Sequence, residues 1–401
     1  MTNSRNKWIE SIYAIVIAIY PILSIYATPI ENLSIADFLL VFLSIALTIR
    51  LLNHPKRISI ETKKINYVFL LFFFYILLSF IVQLLLKTGV GFLSTFRYLL
   101  YLYALIVFTK LFDFSLAVKI LGFFVIASSI YVIIQFIALR FFSIVLPWHI
   151  SFLKVIDQSF DQLVSSAYYL EYHRPTGFFY EPTHFSQYCL TYICYLLFVS
   201  KNKSKWLWIV VVSIAILCCG SSAGLFMLAI AFALFIFESL FEKRKLLQTT
   251  FIIAISLIGL FLVATIPYFS TIVNRVFTNG GFSGAAVGYR FDSIKTLFDG
   301  SRTLTQLLFG TGRGTENGHY FTAIFYIINA HGFIGLFIYV LIFIVTFICC
   351  KSKYVRNALI LIFVVSIGSE MICNFGVLTY FSFLIPYKLN KTNSRIGVMY
   401  A

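Results

Sequence analysis

From Ile65 to Leu86, and again from Phe321 to Cys350, the chain carries no charged side chain. An α-helix rises about 1.5 Å per residue, so each run is long enough to cross the roughly 30 Å hydrocarbon core of a bilayer. Inside lipid no water satisfies the backbone, which leaves only helices, whose hydrogen bonds are internal, or a closed barrel. A barrel strand alternates apolar and polar residues with a period of two; these runs show no such alternation, which selects helices. The chain of 401 residues is 60% hydrophobic and 11% charged. A soluble domain carries about a quarter charged residues, so a water-soluble globule is excluded.

Apolar segments recur near 9–28, 35–52, 66–86, 97–112, 118–146, 185–200, 206–219, 223–240, 249–267, 319–350, 357–372 and 374–387. At roughly 20 residues per crossing they predict an all-α polytopic membrane protein of about 12 transmembrane helices, a single transmembrane domain over 1–401. Alternate short connections are basic: Lys56, Arg57, Lys63 and Lys64, then Lys201, Lys203 and Lys205, then Lys243, Arg244 and Lys245, then Lys351, Lys353 and Arg356. By the positive-inside rule these face the cytoplasm. Arg5 and Lys7, with Lys388, Lys391 and Arg395, place both termini there too. This topology accounts for the net charge of +16, whose residues are scattered between spans and not gathered on the basic face that nucleic acid would need. The first segment has the look of a signal sequence but is long, contains Pro21 and lacks a small-x-small cleavage site, so it reads as an uncleaved span. All 7 cysteines lie in apolar segments without metal or disulfide spacing and read as packing residues.

Two connections are long, and both fall on the external side: a first large external loop over 147–184 and a second over 268–318. External loops need no positive charge for topology, and long loops in compact proteins tend to carry function. The first ends in Glu171-Tyr-His-Arg174-Pro-Thr-Gly177-Phe-Phe-Tyr180-Glu181-Pro-Thr-His184. Pro175 and Gly177 predict a tight turn, Pro182 the first turn of the next helix, and Phe178 to Tyr180 an interfacial position. Two readings stand: an aromatic belt with an internal Arg174–Glu181 pair, or a site that uses both.

The second loop sets Arg275, Arg290, Lys295, Arg302 and Arg313 against Asp292, Asp299 and Glu316 and is rich in glycine, which suits a bound anion. The spacing over Phe291 to Phe298 predicts a short helix lying on the membrane, headed by Arg290. The run Gly310-Thr-Gly312-Arg313-Gly314 reads either as a flexible turn or as a nest of amides turned toward phosphate oxygens. The segment from 319 to 350 is too long for one comfortable crossing, so a short entering helix and a break near Gly332 are expected before the true span. That puts His319 at the mouth of the membrane cavity, as a proton acceptor or as hydrogen-bonded structure. Arg97 and Asp37, near external span ends, and Glu370, inside a span, are further candidates because ionisable groups are costly in lipid.

Taken in order, Arg174-Pro-Thr-Gly177-Phe-Phe-Tyr-Glu181-Pro, Gly220-Ser221-Ser222-Ala-Gly224, Gly288-Tyr-Arg290-Phe, Gly310-Thr-Gly312-Arg-Gly314, and His319 before Gly332-Phe-Ile-Gly335 resemble the O-antigen polymerase and O-antigen ligase superfamily. The resemblance implies a membrane glycosyltransferase of the GT-C-like class in the bacterial cytoplasmic (inner) membrane. It implies transfer of a glycan from a polyprenyl (undecaprenyl) diphosphate carrier to an acceptor sugar hydroxyl at the outer face, building O-antigen for lipopolysaccharide, capsule or exopolysaccharide. The transfer is expected to invert the anomeric centre and to need neither metal nor cofactor. Its expected partners are the lipid-linked oligosaccharide, membrane lipid and a chain-length regulator protein, with no nucleic acid.

Such a donor already carries a good leaving group, so the chemistry asks for cations on the departing diphosphate and one base for the acceptor proton. Arg290, Arg174, Arg302 and Arg313 are the diphosphate candidates, with Arg97 as a further contact, because a planar guanidinium binds two phosphate oxygens at once. His319 is the first candidate for the base and Glu181 the second; Tyr180 and Trp148 are candidates to stack on sugars. A ligase-type transferase of finished polymer and a lipid-linked glycan flippase remain as alternatives.

Overall fold

The computed structural model describes residues 7–30, 33–53, 60–156, 173–240, 250–257, 294–298, 300, 302–316, 321–350, 352–370 and 373–385. These residues are mostly helical, with no strand among them and only two isolated bridges. The helices are α1 (Lys7–Leu23), α2 (Ile35–Asn53), α3 (Ile60–Leu85), α4 (Phe92–Phe108), α5 (Phe114–Phe142), α6 (Pro182–Phe198), α7 (Lys205–Cys218), α8 (Ser222–Leu240), α9 (Leu304–Phe309), α10 (Ala323–Cys349), α11 (Lys353–Gly368) and α12 (Gly376–Leu384). Six stretches among the described residues are long and apolar enough to cross a membrane: Ile35–Asn53, Lys63–Leu85, Phe92–Leu111, Phe114–Phe142, Ser222–Leu240 and Ala323–Cys349. The protein is therefore a multi-pass, membrane-embedded helical protein.

Of the remaining expected spans, α1, α6, α7 and α11 have 17, 17, 14 and 16 residues, α12 has 9, which at about 1.5 Å per residue is too short to cross, and the span expected at 249–267 lies outside the described residues beyond 257. Glu370, expected inside a span, lies instead in the non-helical stretch after α11, where its carbonyl accepts the Cys373 amide at 2.8 Å.

The chain divides into two compact units, Met1–Tyr20 with Leu39–Val118 and Tyr289–Ala401, and Pro21–Phe38 with Lys119–Gly288. The first is organised around α3 and α10, which pack along one another. Helix α3 shows why. Phe69, Phe72, Ile76, Ser79 and Gln83 recur at helical spacing and are buried, while Leu70, Phe74, Leu78, Ile81 and Leu85 form the opposite, exposed stripe. An apolar face turned outward is what lipid requires, and an inward face of aromatic rings with two polar side chains is what a partner helix requires. Phe69 meets Phe381 edge-on at 5.2 Å, and Tyr13 meets Phe108 at 5.7 Å. An ion pair of 3.0 Å joins Glu10 at the start of α1 to Arg50 at the end of α2, bringing those two helix ends together.

The two polar residues on the α3 inner face answer a specific problem. Helix α10 contains a non-helical residue, Gly332 (φ 66°, ψ −172°), where the break expected from the sequence is found. A break in lipid frees carbonyls that nothing else can satisfy. Gln83 Nε2 donates toward Phe309 O at 2.8 Å and Ala330 O at 2.7 Å, Ser79 Oγ donates to Phe309 O at 2.9 Å, and Tyr75 Oη donates to His331 O at 2.5 Å. Gln83→Leu keeps the volume and removes the donor; Phe309 O keeps Ser79, while Ala330 O loses its side-chain partner at about 1–3 kcal/mol. The expected result is a clearly lowered thermal midpoint for the detergent-purified variant, with Leu78→Ala on the exposed face as the near-neutral comparison.

The second unit contains most of α5 with α6, α7 and α8. Here the segment after α1 pairs with the chain beyond α5: Ala27 N donates to Lys154 O at 2.8 Å and Ile156 N to Ile25 O at 3.0 Å. Ile25, Tyr26, Trp148 and Val155 form a small core beneath this pairing, with Tyr180 packed against it. Trp148, expected to stack on sugar, is 5% exposed and meets Tyr180 edge-on at 5.5 Å. Its ring is committed to packing. Asp37, also a candidate, caps α2: its carboxylate accepts from Ser34 N and Oγ at 3.2 and 2.7 Å.

Candidate functional site

Of the residues singled out in the sequence, Arg290 and His319 lie outside the described residues, while Arg174 and Glu181 fall in the second unit and Arg97, Arg302 and Arg313 in the first. In the second unit the expected turn forms at Gly177, whose φ is +65°. Gln135 on α5 holds it: the carboxamide oxygen accepts Thr176 N at 3.2 Å and Gly177 N at 2.9 Å, while its nitrogen donates to Pro147 O at 3.2 Å. A Cβ on Gly177 would stand 2.4 Å from Ser128 Oγ, so glycine is required both by dihedral and by space. Tyr131 stacks on Phe178 at 5.2 Å.

This clamp delivers Arg174 to the α7–α8 connection, where Nη1 donates to Gly220 O at 3.5 Å. Helix α6 begins with Pro182 in its first turn, as expected, and Glu181 as the preceding extended residue. Thr183 Oγ1 lies 3.4 Å from Ser221 Oγ, and Ser186 Oγ fills the space a Cβ on Gly224 would need, 2.3 Å away. Glu181 acts electrostatically on His184, one turn into the helix.

His173 is a residue that sequence reasoning placed in the motif but gave no role. Burial, then the positive charges of Arg140 and Arg174, hold its imidazole below the usual histidine range, so it is neutral at pH 7 and able to accept a proton. The unfolded chain binds a proton near pH 6.5 and the folded chain only below that. Stability therefore rises with pH across the window beneath about 6.5 and is lost on acidification toward the lower folded value. His173→Gln is expected to flatten this part of the profile, read as the thermal midpoint between about pH 7.5 and pH 5. An unchanged slope would contradict the burial argument.

In the first unit, the glycine run 310–314 packs against the break in α10. Gly310 has φ +78°, and a Cβ there would stand 2.4 Å from the Ala330 carbonyl carbon. A Cβ on Gly332 would stand 2.2 Å from Leu308 O. Two glycines thus let two backbones touch. Amides of the run are spent on the protein: Gly310 N donates to Gln306 O at 2.7 Å, Thr311 N to Asn329 O at 2.7 Å, and Gly314 N to Glu316 Oε1 at 3.0 Å. The run is a structural turn at these three positions and not an open nest.

Arg302 donates to Asn329 Oδ1 at 2.6 Å. Arg313 is buried, with Nη2 donating to Cys373 O at 2.8 Å and Asn374 Oδ1 at 3.0 Å, and its guanidinium lies between Tyr98 and Tyr326 at 4.1 and 5.0 Å from the ring centres. Arg97 sits half-buried on α4, beside Tyr98 in sequence. The residues to which sequence reasoning gave no role are Gln83, Asn329 and His331; each is a polar interruption of an apolar run, which was the available signal. Comparison with family models, with curated proteins and with solved structures finds no match.

Proposed function

We propose that the chain is a repeat-unit polymerase for a bacterial polysaccharide, transferring a glycan from a polyprenyl diphosphate to an acceptor sugar hydroxyl at the outer face of the cytoplasmic membrane. One observation carries the reading: motifs distant in sequence are folded against one another within each unit. The Arg174–Glu181 segment lies on the Gly220–Gly224 turn, and the Gly310–Gly314 run lies on the Gly332 break. Lipid-facing scaffold has no need of arginines at irregular backbone, whereas a lipid diphosphate needs cations at membrane depth.

In this reaction the bond from the anomeric carbon to the diphosphate oxygen breaks and its electron pair leaves on the phosphate. The acceptor oxygen bonds to that carbon, and its proton passes to a base. Arg174, Arg302, Arg313 and Arg290 are the candidates to stabilise the departing diphosphate. His319 and Glu181 remain the candidates for the base, joined by neutral His173. The reading includes about 12 crossings with both termini cytoplasmic, for which the pairing of the α1 start with the α2 end at Glu10–Arg50 is supporting geometry. It also includes a GT-C-like architecture, no metal requirement and a chain-length regulator as partner.

The test is polymer length on a gel from cells lacking the gene, complemented with the wild type. Single repeat units in the null and a restored ladder support polymerisation. Full-length polymer left on its carrier in the null would transfer the assignment to a ligase, and unchanged glycan would overturn both.

A further inference from the structure

Arg313 is 3% exposed, and Asn329 and His331 are 1% and 2% exposed. Arg313 Nη2 is bonded to Cys373 and Asn374, but among the described residues Nε and Nη1 have no hydrogen-bond partner. Glu316 acts on Arg313 electrostatically, yet its carboxylate is bonded to the Gly314 amide and to Tyr326. Among the described residues no carboxylate forms an ion pair with Arg313. A buried guanidinium without a bonded anion is strongly unfavourable, and the flanking rings of Tyr98 and Tyr326 offset only part of that.

The neighbouring groups share the same deficit. Asn329 Oδ1 is held by Arg302, but among the described residues Nδ2 has no partner, and both ring nitrogens of His331 and Oγ1 of Thr322 have none. His331 stacks on Tyr98 at 6.3 Å and lies within electrostatic reach of Arg313. Thr322, Tyr326 and Asn329 follow one another at i, i+4 and i+7, so they form a single stripe at the start of α10, with Arg313 over its middle member. The unused atoms on Arg313 and Asn329 are all donors, and His331 and Thr322 can add one each. A lining of donors around a positive charge that no carboxylate is bonded to fits a ligand that only accepts.

We propose that Arg313, Asn329 and His331 form a buried oxyanion site beside the break in α10, which takes a phosphate group either free or on a lipid. The site rests in part on the proposed transfer reaction, in which Arg313 is one of the diphosphate candidates, but phosphate binding is measured without any transfer, so the two can fail separately. Asn329→Asp tests it sharply: the retained oxygen still serves Arg302, while the new carboxylate supplies the missing negative charge.

The experiment is the thermal midpoint of the full-length protein in phosphate-free buffer, then with inorganic phosphate at matched ionic strength, then in phosphatidylcholine nanodiscs with and without phosphatidic acid. A rise of about 3 °C or more with inorganic phosphate assigns a free oxyanion, and a rise confined to phosphatidic acid assigns a lipid phosphate. Asn329→Asp is expected to start from a higher midpoint and to respond to neither. His331→Phe, which keeps the ring packing on Phe72 and Tyr98, is expected to fold and to respond less. A wild-type midpoint unmoved by both sources, or an Asn329→Asp variant that responds like wild type, overturns the site and leaves water as its occupant.

Discussion

Gly332→Ala is expected to abolish a stable first unit. The residue sits at φ 66° and ψ −172°, a region open essentially to glycine alone, where another residue costs about 1–3 kcal/mol. The added methyl would also stand 2.2 Å from Leu308 O and 2.3 Å from its carbonyl carbon. Those atoms are backbone, held by the contact of α9 with α10, and cannot swing aside as a flexible side chain would. Against a total stability of roughly 5–15 kcal/mol, dihedral and collision together are sufficient to remove most folded protein. Gly310→Ala, with its Cβ 2.4 Å from Ala330, belongs to the same class. Gly300→Ala is the control: φ is +81°, but nothing stands within 4 Å, so only about 1–2 kcal/mol of dihedral strain applies. Fluorescence-detected size exclusion at matched expression separates them, and a monodisperse Gly332→Ala with a wild-type midpoint would refute the helix-break packing.

Arg174→Ala is expected to lower glycan transfer by about 100-fold or more, the loss associated with one preorganised charge-stabilising donor. The fold should tolerate it. The contact with Gly220 O is long, 3.5 Å, and the turn that carries Arg174 is fixed independently by Gln135. Arg174→Lys keeps the charge without the two-pronged fork, so an intermediate rate is expected. If Arg174 served only as packing, the alanine variant would lose stability and activity together, and the lysine variant would regain neither. The informative readout is transfer rate at matched thermal midpoint.

The sequence made the helical, membrane-embedded class legible because apolar runs report length and surroundings directly. The break at Gly332 was legible for the same reason, since Asn329 and His331 interrupt such a run. Helix ends were not. The apolar segments were expected to run to 372 and from 374 to 387, whereas α11 already ends at Gly368 and α12 covers only Gly376–Leu384. Nor were the pairings over long separations visible: nothing near Gln83 indicates that its amide serves carbonyls at 309 and 330. Arg313 was read as a loop cation because its neighbours are glycines, whereas its partners lie at Cys373, Asn374, Tyr98 and Tyr326. Trp148 failed in the opposite direction, a loop aromatic that became core through segments more than a hundred residues upstream.

The central claim is tested most directly by incubating the purified protein in nanodiscs with a synthetic polyprenyl-diphosphate-linked repeat unit and following both products. The account predicts that the glycan on one carrier lengthens while an equal amount of free carrier diphosphate appears, and that Arg174→Ala at the same thermal midpoint gives neither. Intact donor after long incubation with folded wild-type protein, or donor moved across the bilayer with no bond formed, would contradict it.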